Sequence, residues 1–118
     1  PAQGAILQKY NVANKHLAVK IALANNTPIK SVGAGTIIFS DWTPSSGYVV
    51  IVRHKDDILS VYKNAASVTK RQGNTVKAGE VIALAGNANT VQNSGATLHF
   101  ELWKDGFPID PTQFINFN

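Results

Sequence analysis

The chain contains no cysteine and no methionine. Without thiols, disulfide frameworks and thiolate metal sites are excluded, and the redox compartment is left undecided. Acidic residues are scarce: 7 Asp and Glu stand against 11 Lys and Arg in 118 residues, for a formal net charge of +4. The basic residues are scattered rather than massed, so the surplus reads as a solvated basic surface and not as a nucleic-acid patch. Charged residues make up only 15% of the chain, too few for a disordered tail, while 44% are hydrophobic, enough for a packed core. No apolar run approaches the roughly 20 residues of a membrane-spanning helix. Helical stripes are missing too; only Ala65 to Lys70 is expected to form a single turn. There is no long linker and no low-complexity tract, and the length suits one domain, 1–118. The chain opens at Pro1 without a signal-peptide pattern, so it is expected to be a domain excised from a longer protein or a mature fragment.

What is present is a period of two. Leu98, Phe100 and Leu102 fall on one face of a strand; Thr97, His99 and Glu101 fall on the other. Gly47 to His54 is β-branched and uninterrupted, as in a strand covered on both sides. Leu17 to Ala24, Gly35 to Trp42, Ile58 to Tyr62 and Val81 to Ala85 are further strands. Turn residues recur about every ten positions, the spacing of an antiparallel β-sandwich or barrel. The polar segment Gly86 to Gly95 is expected to be a surface loop beside the histidine-bearing strand. In Gly73-Asn-Thr-Val-Lys-Ala-Gly79-Glu-Val-Ile-Ala, two glycines frame a tight turn between two short strands. This tract resembles the barrel-sandwich hybrid shared by lipoyl and biotinyl carriers and by one class of cell-wall peptidases. A carrier needs a modifiable lysine at a hairpin tip flanked by Met or Asp, and no such tract exists.

Three histidines are the chemical candidates. His54, at a strand end between Arg53 and Lys55, reads as structural. His99, on the polar face of a well-patterned strand, is a candidate ligand or base. His16 precedes the Leu17 to Ala24 strand. In a straight strand residues 16 and 20 would lie roughly 13 Å apart, too far to share a metal.

Landmarks along nearly the whole chain resemble the zinc peptidases of the M23 family, also called lysostaphin-type or LytM domains. They include Lys15-His16-Leu-Ala-Val-Lys20, Gly33-Ala-Gly35-Thr-Ile, Gly47-Tyr-Val-Val-Ile-Val-Arg-His54, Ser60-Val-Tyr62, Val76-Lys-Ala-Gly79-Glu, Leu98-His99-Phe100-Glu101-Leu102 and Gly106-Phe-Pro-Ile-Asp110-Pro111. The resemblance implies an all-β fold: an antiparallel β-sandwich with a barrel-sandwich-hybrid (duplicated hybrid motif) core.

It also implies a zinc site, held in the family by the His and Asp of His-x-x-x-Asp and the second His of His-x-His. A hydrolytic zinc needs such a three-ligand set with an open position for water. Here His16 and His99 match two ligands, but the aspartate position is Lys20, whose ammonium supplies no oxygen and repels a dication. The family's two further histidines, in Tyr-x-His-Leu and at the start of His-x-His, correspond to Asn64 and Thr97. The resemblance therefore implies a degenerate member: no metal, with vestigial ligand positions at His16, Lys20 and His99, no catalytic residue and no cofactor.

Such members are similar to murein hydrolase activators. The implied function is a binding or regulatory module of bacterial cell-wall remodelling, acting in the periplasm or cell envelope during division. Its expected partner is a peptidoglycan amidase or another cell-wall hydrolase. The expected groove contacts are Lys20, Tyr62, Asn64, Thr97, His99 and Glu101. A peptidoglycan-binding or structural envelope module, and an active zinc endopeptidase with substitute ligands, are the other readings.

Overall fold

The computed structural model describes residues 5–8, 19–23, 27–86 and 96–111, with side chains for 19–21, 27–86 and 97–111. Ten strands lie among them: β1 (Ala5–Gln8), β2 (Val19–Leu23), β3 (Pro28–Lys30), β4 (Gly35–Thr43), β5 (Gly47–Arg53), β6 (Ile58–Val68), β7 (Thr75–Val76), β8 (Val81–Ala85), β9 (Ala96–Lys104) and β10 (Phe107–Ile109). A short 3-10 turn at Lys55–Asp57 joins β5 to β6. Every pairing is antiparallel, and the main sheet runs β1-β2-β9-β6-β5-β4-β7, with β10 on β9. The protein is thus the all-β, antiparallel fold that the sequence pattern indicates.

The hub is β6. Its 11 residues pair with β5 and β9 in the first part, then with β8 over Ala65–Val68. β8 in turn pairs with β3, so β6 carries the chain from the main sheet into a second, smaller layer. Between the layers lies one contiguous core. Ile29, Ile82 and Ala83 come from the small layer; Ile37, Val50, Val52, Tyr62, Leu98 and Phe100 come from the large sheet. Burial of such aliphatic and aromatic side chains stabilises by roughly 1.5–3 kcal/mol each. Leu98 and Phe100 have no exposure and Leu102 only 4%, so the alternation read from β9 is realised.

Three local expectations are corrected. Ala65 to Lys70 does not form a helical turn: Ala65, Ser67 and Val68 pair with Ala85, Leu84 and Ala83, because β8 supplies a ladder that an isolated turn cannot match. The strand expected to end at Tyr62 therefore runs on to Val68. The Gly73 to Gly79 tract does connect two strands, but they do not pair with each other. β7 joins β4, while β8 joins β3 and β6.

Two glycines matter for the site. Gly47 closes the β4–β5 hairpin at a φ of +65°, a conformation that costs a residue with a Cβ more than it costs glycine. Gly35 starts β4 hard against the end of β5; a Cβ there would collide with the Arg53 carbonyl oxygen.

Candidate functional site

The face of the sheet opposite the core holds the polar residues. Antiparallel register sets Lys20 of β2 beside His99 of β9, and His99 beside Lys63 of β6, in one row across three strands. Directly opposed side chains in such a ladder are within about 5.5 Å at Cβ, so the three are close neighbours. One step along the strands, Glu101 faces Val61.

Asn64 breaks the alternation. It follows Lys63, so a regular strand would send the two side chains to opposite faces. Its φ of +72° instead places it in the left-handed region, which asparagine tolerates better than most residues. The Asn64 amide N–H donates to the Ser46 carbonyl at 2.7 Å, tying β6 to the β4–β5 hairpin. Its side-chain Nδ2 donates to both the Thr97 carbonyl (3.0 Å) and the Thr97 Oγ1 (2.9 Å). The result is an open cleft of about 250 Å³ lined by Lys20, Ser45, Ser46, Lys63, Asn64, Thr97 and His99.

Glu101 anchors the floor beside this cleft. Its Oε2 accepts from His99 Nε2 and from Lys63 Nζ, each at 2.9 Å, and its Oε1 accepts from Trp103 Nε1 at 2.8 Å. Burial pushes the carboxyl upward, but the bonds from His99, Lys63 and Trp103 together outweigh it and bring the pKa from 4.5 down to about 2. Glu101 is therefore an ionised acceptor across the working range of pH.

Of the six expected groove contacts, Lys20, Asn64, Thr97 and His99 line the cleft together, and Glu101 bonds His99 from beside it. Tyr62 does not. It has no exposure, its ring packs 5.2 Å from Phe100, and its hydroxyl accepts from the Val32 N–H at 3.0 Å. Desolvation holds its phenol above the ordinary range, so it stays neutral in the core. His16 and residues 87–95 of the expected loop lie outside the described residues.

Lys63, Ser45 and Ser46 line the cleft without having been singled out from the sequence. His54 has the structural role read for it: Nδ1 donates to the Ala34 carbonyl at 2.8 Å and Nε2 accepts from Ser60 Oγ at 2.7 Å. Among the described residues no three His, Cys, Asp or Glu side chains gather at one point. The described donors of the cleft are one imidazole, an amide, three hydroxyls and two ammonium groups, and this set does not fit a zinc ion.

An all-β fold of two joined antiparallel layers, with a polar cleft on the histidine-bearing strand, is what the M23 resemblance implies, and the family's sequence model matches residues 14–111. The chain belongs to peptidase family M23. It is 36% identical over 83 residues to stage II sporulation protein Q of Bacillus subtilis (strain 168), covering 70% of this chain and 29% of that protein. It is 27% identical over 119 aligned positions to the murein hydrolase activator EnvC of Escherichia coli (strain K12), covering 98% of this chain and 28% of that protein. A crystal structure of the SpoIIIAH and SpoIIQ complex matches with a TM-score of 0.75 at 25% identity, covering 97% of this chain and 90% of that one. The chain spans less than a third of the length of the two curated relatives.

Proposed function

We propose that this domain is a catalytically silent M23 module that binds and activates a peptidoglycan amidase in the bacterial cell envelope. One observation carries the reading. Positions 20, 64 and 97, where the family resemblance calls for a carboxylate ligand and two catalytic histidines, meet in one cleft and hold Lys, Asn and Thr. Asn64 and Thr97 are bonded to each other, so neither side chain is poised to move a proton for an attacking water. The Lys20 and Lys63 ammonium groups oppose a divalent cation in the same space.

Binding needs none of the lost chemistry. The cleft is built by strand register and by the Asn64 bridge, and both persist without metal. Likeness to a murein hydrolase activator supports the choice of partner. The complex of SpoIIIAH and SpoIIQ supports a second reading, a structural envelope module that docks another protein without activating a hydrolase.

Two parallel assays test the proposal against direct peptidoglycan binding, and amidase-dependent release from sacculi with and without the domain separates activation from docking alone. The purified domain is tested for capture of purified peptidoglycan amidases, and for sedimentation with purified sacculi. Capture of an amidase without sedimentation supports the proposal. Sedimentation alone contradicts it and favours direct peptidoglycan binding.

A further inference from the structure

The cleft at Lys20 has more positive charge than its own walls neutralise. Two ammonium groups line it, from Lys20 and Lys63. Lys63 is answered by Glu101 at 2.9 Å. The same carboxylate also takes bonds from His99 and Trp103, and its side chain is only 12% exposed. Among the described residues no carboxylate pairs with Lys20, although its side chain faces the cleft from the strand next to His99. Among the described residues one positive charge is therefore left over on the cleft wall.

We infer that the cleft is a receptor for a single carboxylate, the side chain of an Asp or Glu on the partner polypeptide. This rests on the binding-module reading above and names the chemistry by which the module recognises its partner. The neighbouring groups suit the task. Lys63 spends one N–H on Glu101 and keeps two. Ser45 and Ser46, from the β4–β5 hairpin, also line the cleft. Asn64 Nδ2 is spent on Thr97 and serves to hold the wall in place.

Size and charge narrow the ligand. At about 250 Å³ the cleft is smaller than the roughly 300–1,000 Å³ of sites that enclose drug-sized ligands, and it has room for an acidic side chain. A monoanion balances the surplus on Lys20, whereas a dianion would leave a negative charge beside ionised Glu101. A charge-assisted pair at the centre of an interface is also the kind of contact that sets register and partner choice.

The test is an NMR titration of the isotope-labelled domain with N-acetyl-glutamate α-amide, which carries only its side-chain carboxylate. The neutral N-acetyl-glutamine α-amide serves as control, and N-acetyl-D-alanine offers a chain-terminal carboxylate instead. Saturable shifts are expected at Lys20, Lys63, Thr97 and His99 with the glutamate probe and not with the glutamine probe. Lys20→Gln is expected to weaken binding by about tenfold, and Lys20→Arg to retain it. The inference is overturned by an absence of saturation, by equal response to the neutral probe, or by unchanged binding in folded Lys20→Gln. Tighter binding of N-acetyl-D-alanine overturns it in favour of a chain terminus. A domain that ignores the probe yet activates an amidase sinks only this inference; one that binds the probe but captures no amidase sinks only the activator reading.

Discussion

Three side chains, His99, Lys63 and Trp103, donate to the Glu101 carboxylate, and its pKa of about 2 lies well below the ordinary 4.5. A depressed carboxyl pKa stabilises the fold above the unfolded value and loses that stabilisation as pH falls toward the folded value. Glu101→Gln is therefore expected to cost about 1–2 kcal/mol at neutral pH, after allowance for solvent screening of the partly exposed partners. In urea denaturation the gap from the parent should shrink below about pH 4.5 and be lost as pH falls through about 2. A gap that stays constant across that window would assign the cost to packing. Lys20 makes the opposite kind of contribution, a cation where the family resemblance places an anionic ligand. Lys20→Asp is expected to raise zinc affinity by orders of magnitude in a direct titration, because it removes a repulsive charge and adds an oxygen donor beside His99. Hydrolysis should stay absent, since Asn64 and Thr97 cannot supply general acid–base help worth roughly 10²–10⁴-fold. A folded Lys20→Asp protein that binds zinc no better than the parent would contradict the assignment of Lys20 to the ligand position.

At the level of strands, much was legible from local pattern. β9 advertised both faces through Leu98, Phe100 and Leu102 against Thr97, His99 and Glu101, and the structure keeps that division. The apolar run Val81–Ala85 marks β8 with its observed bounds, because a short apolar run between turn residues has few alternatives. The cleft was only partly legible. Lys63 enters it because β6 takes its register from β9, which is long-range information that no window of sequence contains. Asn64 joins Lys63 on the same side because one left-handed residue breaks the period of two. Tyr62 departs from the expected groove for the complementary reason: its motif position points to the groove, while strand alternation turns it inward against Phe100. Gly35 offers a test of how tightly the hairpin is set. A Cβ there would collide with the Arg53 carbonyl and approach Val52 Cγ1 to 2.9 Å. Gly35→Ala is expected to destabilise by about 1–3 kcal/mol in urea, since the obstacle is backbone rather than a flexible side-chain end. A neutral result would show that β4 and β5 separate at little cost.

For the molecule as a whole, the central strands of the main sheet serve two purposes. One face closes the core against β3 and β8, and the other displays the cleft, so the cleft inherits rigidity from fully buried residues such as Leu98 and Phe100. The proposed binding role draws on this build, because register and packing hold the cleft walls whether or not catalytic groups stand in them. The central claim is that the surface works by engaging a hydrolase and cleaves nothing itself. The most direct measurement is release of dye-labelled fragments from purified sacculi, with a purified peptidoglycan amidase, the domain, and both together. No release is expected from the domain alone, and a severalfold rise in amidase-dependent release is expected when the domain is present, lost in a folded Thr97→Trp protein. Chelator-sensitive release by the domain alone, absent from a His99→Ala protein, would contradict it.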